Sequence, residues 1–164
     1  MPERSTHPTT PAWHLRTARP TDAPALQKDC LSNASLDRIT MLLQHVQRNV
    51  RHNRGLGLVA AHEDGRLIGF GQLTIWPRTA EISDLIVSES WQNQGIGSAL
   101  IASLLQAARE FAKDRVEIGV AVRNTRALAL YQRFGFREDR TLELNVGAGP
   151  EPVMILWLDL DPVS

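Results

Sequence analysis

The sequence predicts one α/β domain. Three observations carry that expectation. The apolar spacing switches repeatedly between the strand period of about two and the helix period of about 3.6. Three extended runs in succession lead into a Gly-rich turn that opens a helix. No internal repeat and no linker divides the chain, and 164 residues suit one domain better than two small ones.

The elements follow in order. Residues 1–12 contain Pro2, Pro8 and Pro11 among small polar residues and read as a flexible N-terminal tail. The domain is expected over residues 13–164. Residues 13–18 (WHLRTA) alternate as a first strand. Thr21 and Asp22 open a helix to about Leu31, with Pro24 early enough to be tolerated. Leu36, Ile39, Leu43, Val46 and Val50 form one apolar stripe of a second helix, capped by Ser35 and ended by Gly55 and Gly57. The runs 58–62 and 66–75 flank Glu63-Asp64-Gly65, a hairpin signal. Residues 81–87 (EISDLIV) make a third successive strand. A helix follows the glycines, with Ile96, Leu100, Leu104, Ala108 and Phe111 on its buried side. Residues 115–122 are a strand. Residues 124–134 are a helix with Ala127, Leu130, Tyr131 and Phe134 on one side, and Gly135 terminates it. Two last strands, 136–144 and 153–160, flank a Gly-Ala-Gly-Pro loop.

Composition narrows the function classes. Lys and Arg number 18 and Asp and Glu number 18, so no basic excess marks a nucleic-acid binder. No apolar run approaches the roughly 18 to 20 residues that cross a bilayer, so no membrane partner is expected. The N-terminus has no apolar core for a signal peptide. The single cysteine, Cys30, excludes an internal disulfide and a cysteine metal cluster, and is compatible with a cytoplasmic location. It has no adjacent His to activate it as a nucleophile. No His, Asp and Glu spacing suggests a metal site.

The turn Gln92-Asn93-Gln94-Gly95-Ile96-Gly97-Ser98 is the first feature with chemistry. Glycines allow positive φ and close backbone approach, and a helix start favours an anion such as phosphate. Two glycines making a plain tight turn account for the same residues. A P-loop would need Lys-Ser/Thr after its last glycine, and Ser98-Ala99 stands there. A dinucleotide fingerprint would need glycine at Leu100 and an acidic residue where Val122-Arg123 lies.

The string Gln92-x-x-Gly95-x-Gly97 after Leu85-Ile86-Val87 closely resembles the acyl-CoA-binding motif of the GNAT superfamily of N-acetyltransferases. A second segment, from Asn124 through Ala127 and Leu130-Tyr131 to Gly135-Phe136, resembles that family's Asn-x-x-Ala-x-x-Leu-Tyr-x-x-x-Gly-Phe pattern. The opening Leu15-Arg16-x-Ala18-x-Pro20-x-Asp22 is also similar. The likeness spans residues 13–160. It implies the GNAT acyl-CoA N-acyltransferase fold, a mixed-sheet α/β arrangement ordered strand, two helices, three strands, helix, strand, helix, two strands.

The resemblance also implies a reaction and its parts. An acetyl group would pass from acetyl-CoA to a primary amine, by direct attack in a ternary complex and without a metal. The amides of Asn93, Gln94, Gly95, Ile96, Gly97 and Ser98 would hold the pyrophosphate, with Gln92 where many relatives carry Arg. The backbone of Leu85, Ile86 and Val87 would pair with the pantetheine amides. Asn124 would contact the coenzyme or position its helix, although Asn also simply caps helices. Tyr131, the single tyrosine, would be the general acid toward the leaving thiolate; it also fits as a core aromatic. Glu81 occupies a position similar to the glutamate base of the family's histone acetyltransferases. By strand parity Asp84 lies on the opposite face, so only one of them faces the cleft unless a bulge intervenes. A glutamate used by another branch falls at Gly119, so that base is absent.

The acceptor is expected to be a small-molecule amine, met by the two early helices, residues 72–75 and the last hairpin. A protein N-terminus or lysine is the alternative acceptor, and a non-catalytic acyl-CoA-binding regulatory domain is the alternative from another class. A homodimer through the late strands is open to a chain of this kind.

Overall fold

The computed structural model describes residues 10–145 and 149–161. Most of the expected tail, residues 1–12, and part of the last hairpin loop lie outside the described residues. The strands are β1 (Trp13–Thr17), β2 (Gly55–His62), β3 (Leu67–Ile75), β4 (Ala80–Val87), β5 (Arg115–Ala121), β6 (Arg137–Asn145) and β7 (Pro150–Asp159). The helices are α1 (Ala23–Asp29), α2 (Leu36–Arg51), α3 (Ile96–Glu110) and α4 (Thr125–Arg133). Short 3₁₀ turns occupy Pro20–Asp22 and Glu89–Trp91. The order of strands and α-helices is the expected one.

The sheet runs β1-β2-β3-β4-β5-β7-β6. Its pairings are antiparallel except β4 with β5, which is parallel. The β2–β3 hairpin turns at Gly65, whose φ of +91° is the left-handed value an Asp-Gly turn requires. Alternate residues of β2 enter different cores. Val59 and Ala61 meet Leu26, Ile39, Leu43 and Val46 of α1 and α2. Leu58 and Ala60 join the core built around Leu100, Ile101 and Leu104 of α3. Burial on both faces explains why the central strands read as nearly continuous apolar runs. At Gly71 an added Cβ would lie 2.8 Å from Leu85 Cδ1 and 3.2 Å from Leu104 Cδ1. That glycine lets β4 and α3 close on β3.

Several boundaries differ from the sequence reading. Strand β2 starts at Gly55, and an added Cβ there would approach the Leu73 carbonyl oxygen to 2.7 Å. Gly55 therefore serves strand contact and does not end the helix, which stops at Arg51 with His52 as its C-cap. Leu36 and Val50, expected in the α2 stripe, are exposed, while Ile39, Leu43 and Val46 are buried. The helix after Thr21 is split: Asp22 ends a 3₁₀ turn and α1 begins at Ala23. Asp22 is not a surface first-turn charge. It is buried and accepts two bonds from Arg16, at 2.9 and 2.8 Å, and one from the Arg19 amide at 2.8 Å. The Arg16 contacts tie β1 to the chain entering α1.

Candidate active site

β4 and β5 pair only over Ala80–Val116, Glu81–Glu117 and Ile82–Ile118. Beyond Ile82, β4 is irregular. Its register with β3 shifts between Phe70 and Gln72, and Asp84 takes a φ of +53°, rare for a residue with a Cβ. The bulge overrides the simple parity that placed Glu81 and Asp84 on opposite faces. A gap opens where the strands stop pairing, lined by Ser83, Asp84 and Leu85 of β4 and by residues 118–121. It is a cavity of about 230 Å³.

A larger cavity of about 610 Å³ lies beside it. The predicted binding residues come together here: 85–87 of β4, then Gln92, Asn93 and residues 95–98, with Asn124 and Tyr131 of the α4 segment. Gln94 is not part of the wall, and Glu81 lines neither cavity. Leu85, Asn124 and Tyr131 line both.

The turn has the geometry an anion requires. Asn93 has φ +64° and Gly95 has φ +86°, so the chain folds tightly back into α3. The first α3 backbone bond of this turn runs from Ala99 N to Gly95 O at 3.0 Å. The amides of Ile96, Gly97 and Ser98 precede it and have no intrahelical partner. An added Cβ at Gly97 would sit 3.3 Å from Leu130 Cδ2, so this glycine lets α4 approach α3. Among the described residues no carboxylate lines the larger cavity, whereas Arg126 and Arg133 do. A cavity of this size falls within the roughly 300–1,000 Å³ of small-molecule sites. Free amides, two cations and strand backbone are the donor set that a phosphate-bearing, amide-containing arm needs.

Asn124 caps α4: its Oδ1 accepts from the Ala127 amide at 3.2 Å. The capping role and the place on the cavity wall coexist. Tyr131 is 5 % exposed and meets Phe136 edge-on, with ring centroids 6.1 Å apart. Burial pushes its phenol up to about 12. Glu81 is half-buried, and its carboxyl is raised by burial, then by Glu117 and by Asp84. Asp84 is held from the sheet: Gln72 Nε2 donates to its Oδ2 at 2.5 Å, and Gln72 is itself 5 % exposed. Burial, with Asp29 nearby, pushes the Cys30 thiol up to about 12, which disfavours the thiolate a nucleophile needs. Among the described residues no three His, Cys, Asp or Glu side chains are grouped to hold a metal.

The sequence reading missed Arg126 and Arg133. Trp91 lines the larger cavity, against His62 at 4.8 Å and beneath Arg66 at 5.5 Å. Arg126, Leu130 and Arg133 are spaced four and three apart, which puts both cations on one helical face. That spacing was the available signal.

Comparison with known proteins agrees with this geometry. The acetyltransferase (GNAT) family profile matches residues 21–136, and the chain belongs to that family. It is 42% identical over 81 residues to a mycothiol acetyltransferase of Clavibacter sepedonicus, covering 49% of this chain and 27% of that protein. It is 28% identical over 96 residues to a spermine/spermidine N(1)-acetyltransferase of Bacillus subtilis, covering 53% and 63%. The chain thus spans only about a quarter of the first of these relatives. Two solved structures from Salmonella typhimurium share the fold. An acetyl transferase that modifies the N-terminal serine of ribosomal protein L7/L12 superposes with a TM-score of 0.79 at 20% identity, covering 94% of this chain and 98% of that one. The putative acetyltransferase yncA, solved with acetyl-CoA, gives 0.74 at 20% identity, covering 92% and 95%. No described helix is long and apolar enough to cross a membrane.

Proposed function

We propose that this chain is an N-acetyltransferase that moves an acetyl group from acetyl-CoA to a primary amine of a small molecule, within a ternary complex. One observation carries the reading: Tyr131 stands where two cavities meet. The larger has the donor set for the coenzyme. The smaller, with Asp84 on its wall, faces the place an amine must occupy. Acetyl-CoA supplies an activated acyl thioester; the chain supplies position, charge and protons.

Residues 85–87 offer strand amides and carbonyls to the pantetheine arm, and an amide of that run polarises the acyl carbonyl. The amides of the turn hold the pyrophosphate. Tyr131 donates a hydrogen bond to the departing sulfur. Complete proton transfer from a phenol near 12 to a thiolate near 8.5 would be uphill by about 5 kcal/mol. Donation of a hydrogen bond is therefore its contribution, and the thiolate is protonated in the end from solvent.

The acceptor has the opposite problem. An alkylammonium near 10.4 must lose a proton, at a cost of about 5 kcal/mol at neutral pH. Two carboxylates divide the means. Glu81 has the raised affinity for a proton that a base needs. Asp84 has the place, on the wall of the cavity that Tyr131 shares. Asp84 therefore receives the ammonium, and Glu81 stands behind it as the base. The small volume of the gap supports a small acceptor, as does the likeness to a polyamine acetyltransferase.

The test is thiol release from acetyl-CoA across a panel of small amines, amino acids and short peptides. Turnover with small amines supports the reading. Acetyl-CoA binding without turnover of any acceptor would make the chain a binding domain. Turnover confined to peptide N-termini or lysines would replace the acceptor class.

A further inference from the structure

The phosphate turn contains no charged side chain: Gln92, Asn93, Gln94 and Ser98 are neutral. Yet the bound anion would carry several negative charges. The structure shows where a cation comes from. Gln92 is fixed at both ends of its amide. Its Nε2 donates to the Val87 carbonyl at 3.3 Å, and its Oε1 accepts from Nη1 of Arg126 on α4. Residues 92 and 126 are 34 apart in sequence, and both line the larger cavity.

Arg126 is free to do more. Among the described residues Gln92 is the one hydrogen-bond partner found for its guanidinium, and no carboxylate pairs with it. A guanidinium has about five N–H donors in a planar fork that fits two phosphate oxygens at once. Most of that fork is uncommitted. Among the described residues, the lining around it holds a second cation, Arg133, and no acidic side chain.

We propose that Arg126 is the fixed positive charge of the coenzyme's pyrophosphate site, delivered by α4 and aimed by the neutral Gln92. The inference rests on the acetyl-CoA reading above and deepens it. It has a mechanical consequence. Arg126 lies in the same helix as Tyr131, five positions earlier. A pyrophosphate gripped by the turn amides and by Arg126 ties the turn to α4, and so holds Tyr131 against the acyl end. Phosphate recognition then serves catalysis as well as affinity.

The experiment measures Kd by calorimetry for coenzyme A and for dephospho-coenzyme A, which lacks the 3′-phosphate but keeps the pyrophosphate. The proteins are the wild type, Arg126→Gln, and the transposed variant Gln92→Arg/Arg126→Gln, each checked for an unchanged ligand-free Tm. Arg126→Gln should weaken both ligands alike, by about 10- to 100-fold, the range of one charge-assisted hydrogen bond. Its affinity should also fall less steeply with added salt. The transposed variant should regain most of the loss, because the charge moves only to the side chain that Arg126 touches. Equal affinity of wild type and Arg126→Gln would overturn the proposal. So would a loss confined to coenzyme A, which would place Arg126 at the 3′-phosphate, and so would a transposed variant as weak as the single one. A wild type that binds neither ligand would instead overturn the acetyltransferase reading, and this inference with it.

Discussion

Replacing Tyr131 by Phe removes one oxygen and leaves the rest of the site standing. The ring is 5 % exposed and packs edge-on against Phe136, so Phe keeps the apolar contacts and opens no cavity. No hydrogen bond of the hydroxyl to another described residue is found. The substitution therefore strands no buried partner, and stability should change by less than about 1 kcal/mol. The kinetic cost is a different quantity. A hydrogen bond to a charged group contributes about 1.5–3 kcal/mol. Its loss in the transition state should lower kcat by about 10- to 150-fold, with KM for acetyl-CoA little changed.

The pH profile separates two roles for the hydroxyl. Burial holds the phenol near 12, so it stays protonated throughout any accessible assay range. The ratio of wild type to variant should then be constant from about pH 6 to about pH 10, while both rates rise as the acceptor amine deprotonates near 10.4. The assay is thiol release under saturating acceptor, with Tm measured alongside. A variant equal to wild type at every pH would refute the assignment of Tyr131 to the leaving group. A ratio that collapses near pH 8 would refute the hydrogen-bond account, because it would mean that the phenol titrates there.

Four further outcomes are expected. Asp84→Asn should keep the bulge, since Asn tolerates positive φ, and reduce kcat/KM by about 100-fold. Glu81→Gln should remove the low-pH limb set by a carboxyl raised above its ordinary value, and a kcat/KM profile unchanged in that variant would exclude Glu81 as base. Gly97→Glu should abolish binding, because its Cβ would press on Leu130 at 3.3 Å and its carboxylate would face the pyrophosphate; the thermal stabilisation of about 2.7 kcal/mol at 100-fold Kd of acetyl-CoA should vanish. Asp22→Asn should destabilise the fold by about 2–4 kcal/mol, somewhat less than a fully buried pair because the Arg16 side chain is 25% exposed. Burial opposes the Asp22 charge, but bonds from Arg16 and the Arg19 amide prevail and hold its carboxyl below the usual range. Its contribution is thus present above about pH 4 and lost as pH falls through the lowered value, so urea midpoints of wild type and variant should converge in acid.

What could be read from the sequence follows a physical division. Glycine positions, strand periodicity and a helix start are local properties of the chain. The phosphate turn is made of these, and its residues, Gln94 apart, line one cavity as expected. Features that depend on distant partners were hidden. Gly55 resembles a helix stop until Leu73 is placed beside it. Arg126 resembles a solvated helix charge until Gln92 arrives from 34 residues away. Asp84 is the sharper case, because a period-two count assigns it the wrong face with no local warning. The bulge arises in the register between β3 and β4, where Phe70 faces Ile86 but Gln72 faces Ser83. The buried Gln72 then holds the displaced carboxylate. On the proposed reading the coenzyme would be gripped largely through backbone, so its site is written locally. The proposed acceptor would be met by side chains that tertiary packing re-aims, so a substrate preference could change at Asp84 or across the β4–β5 gap while the turn at residues 92–98 stays the same.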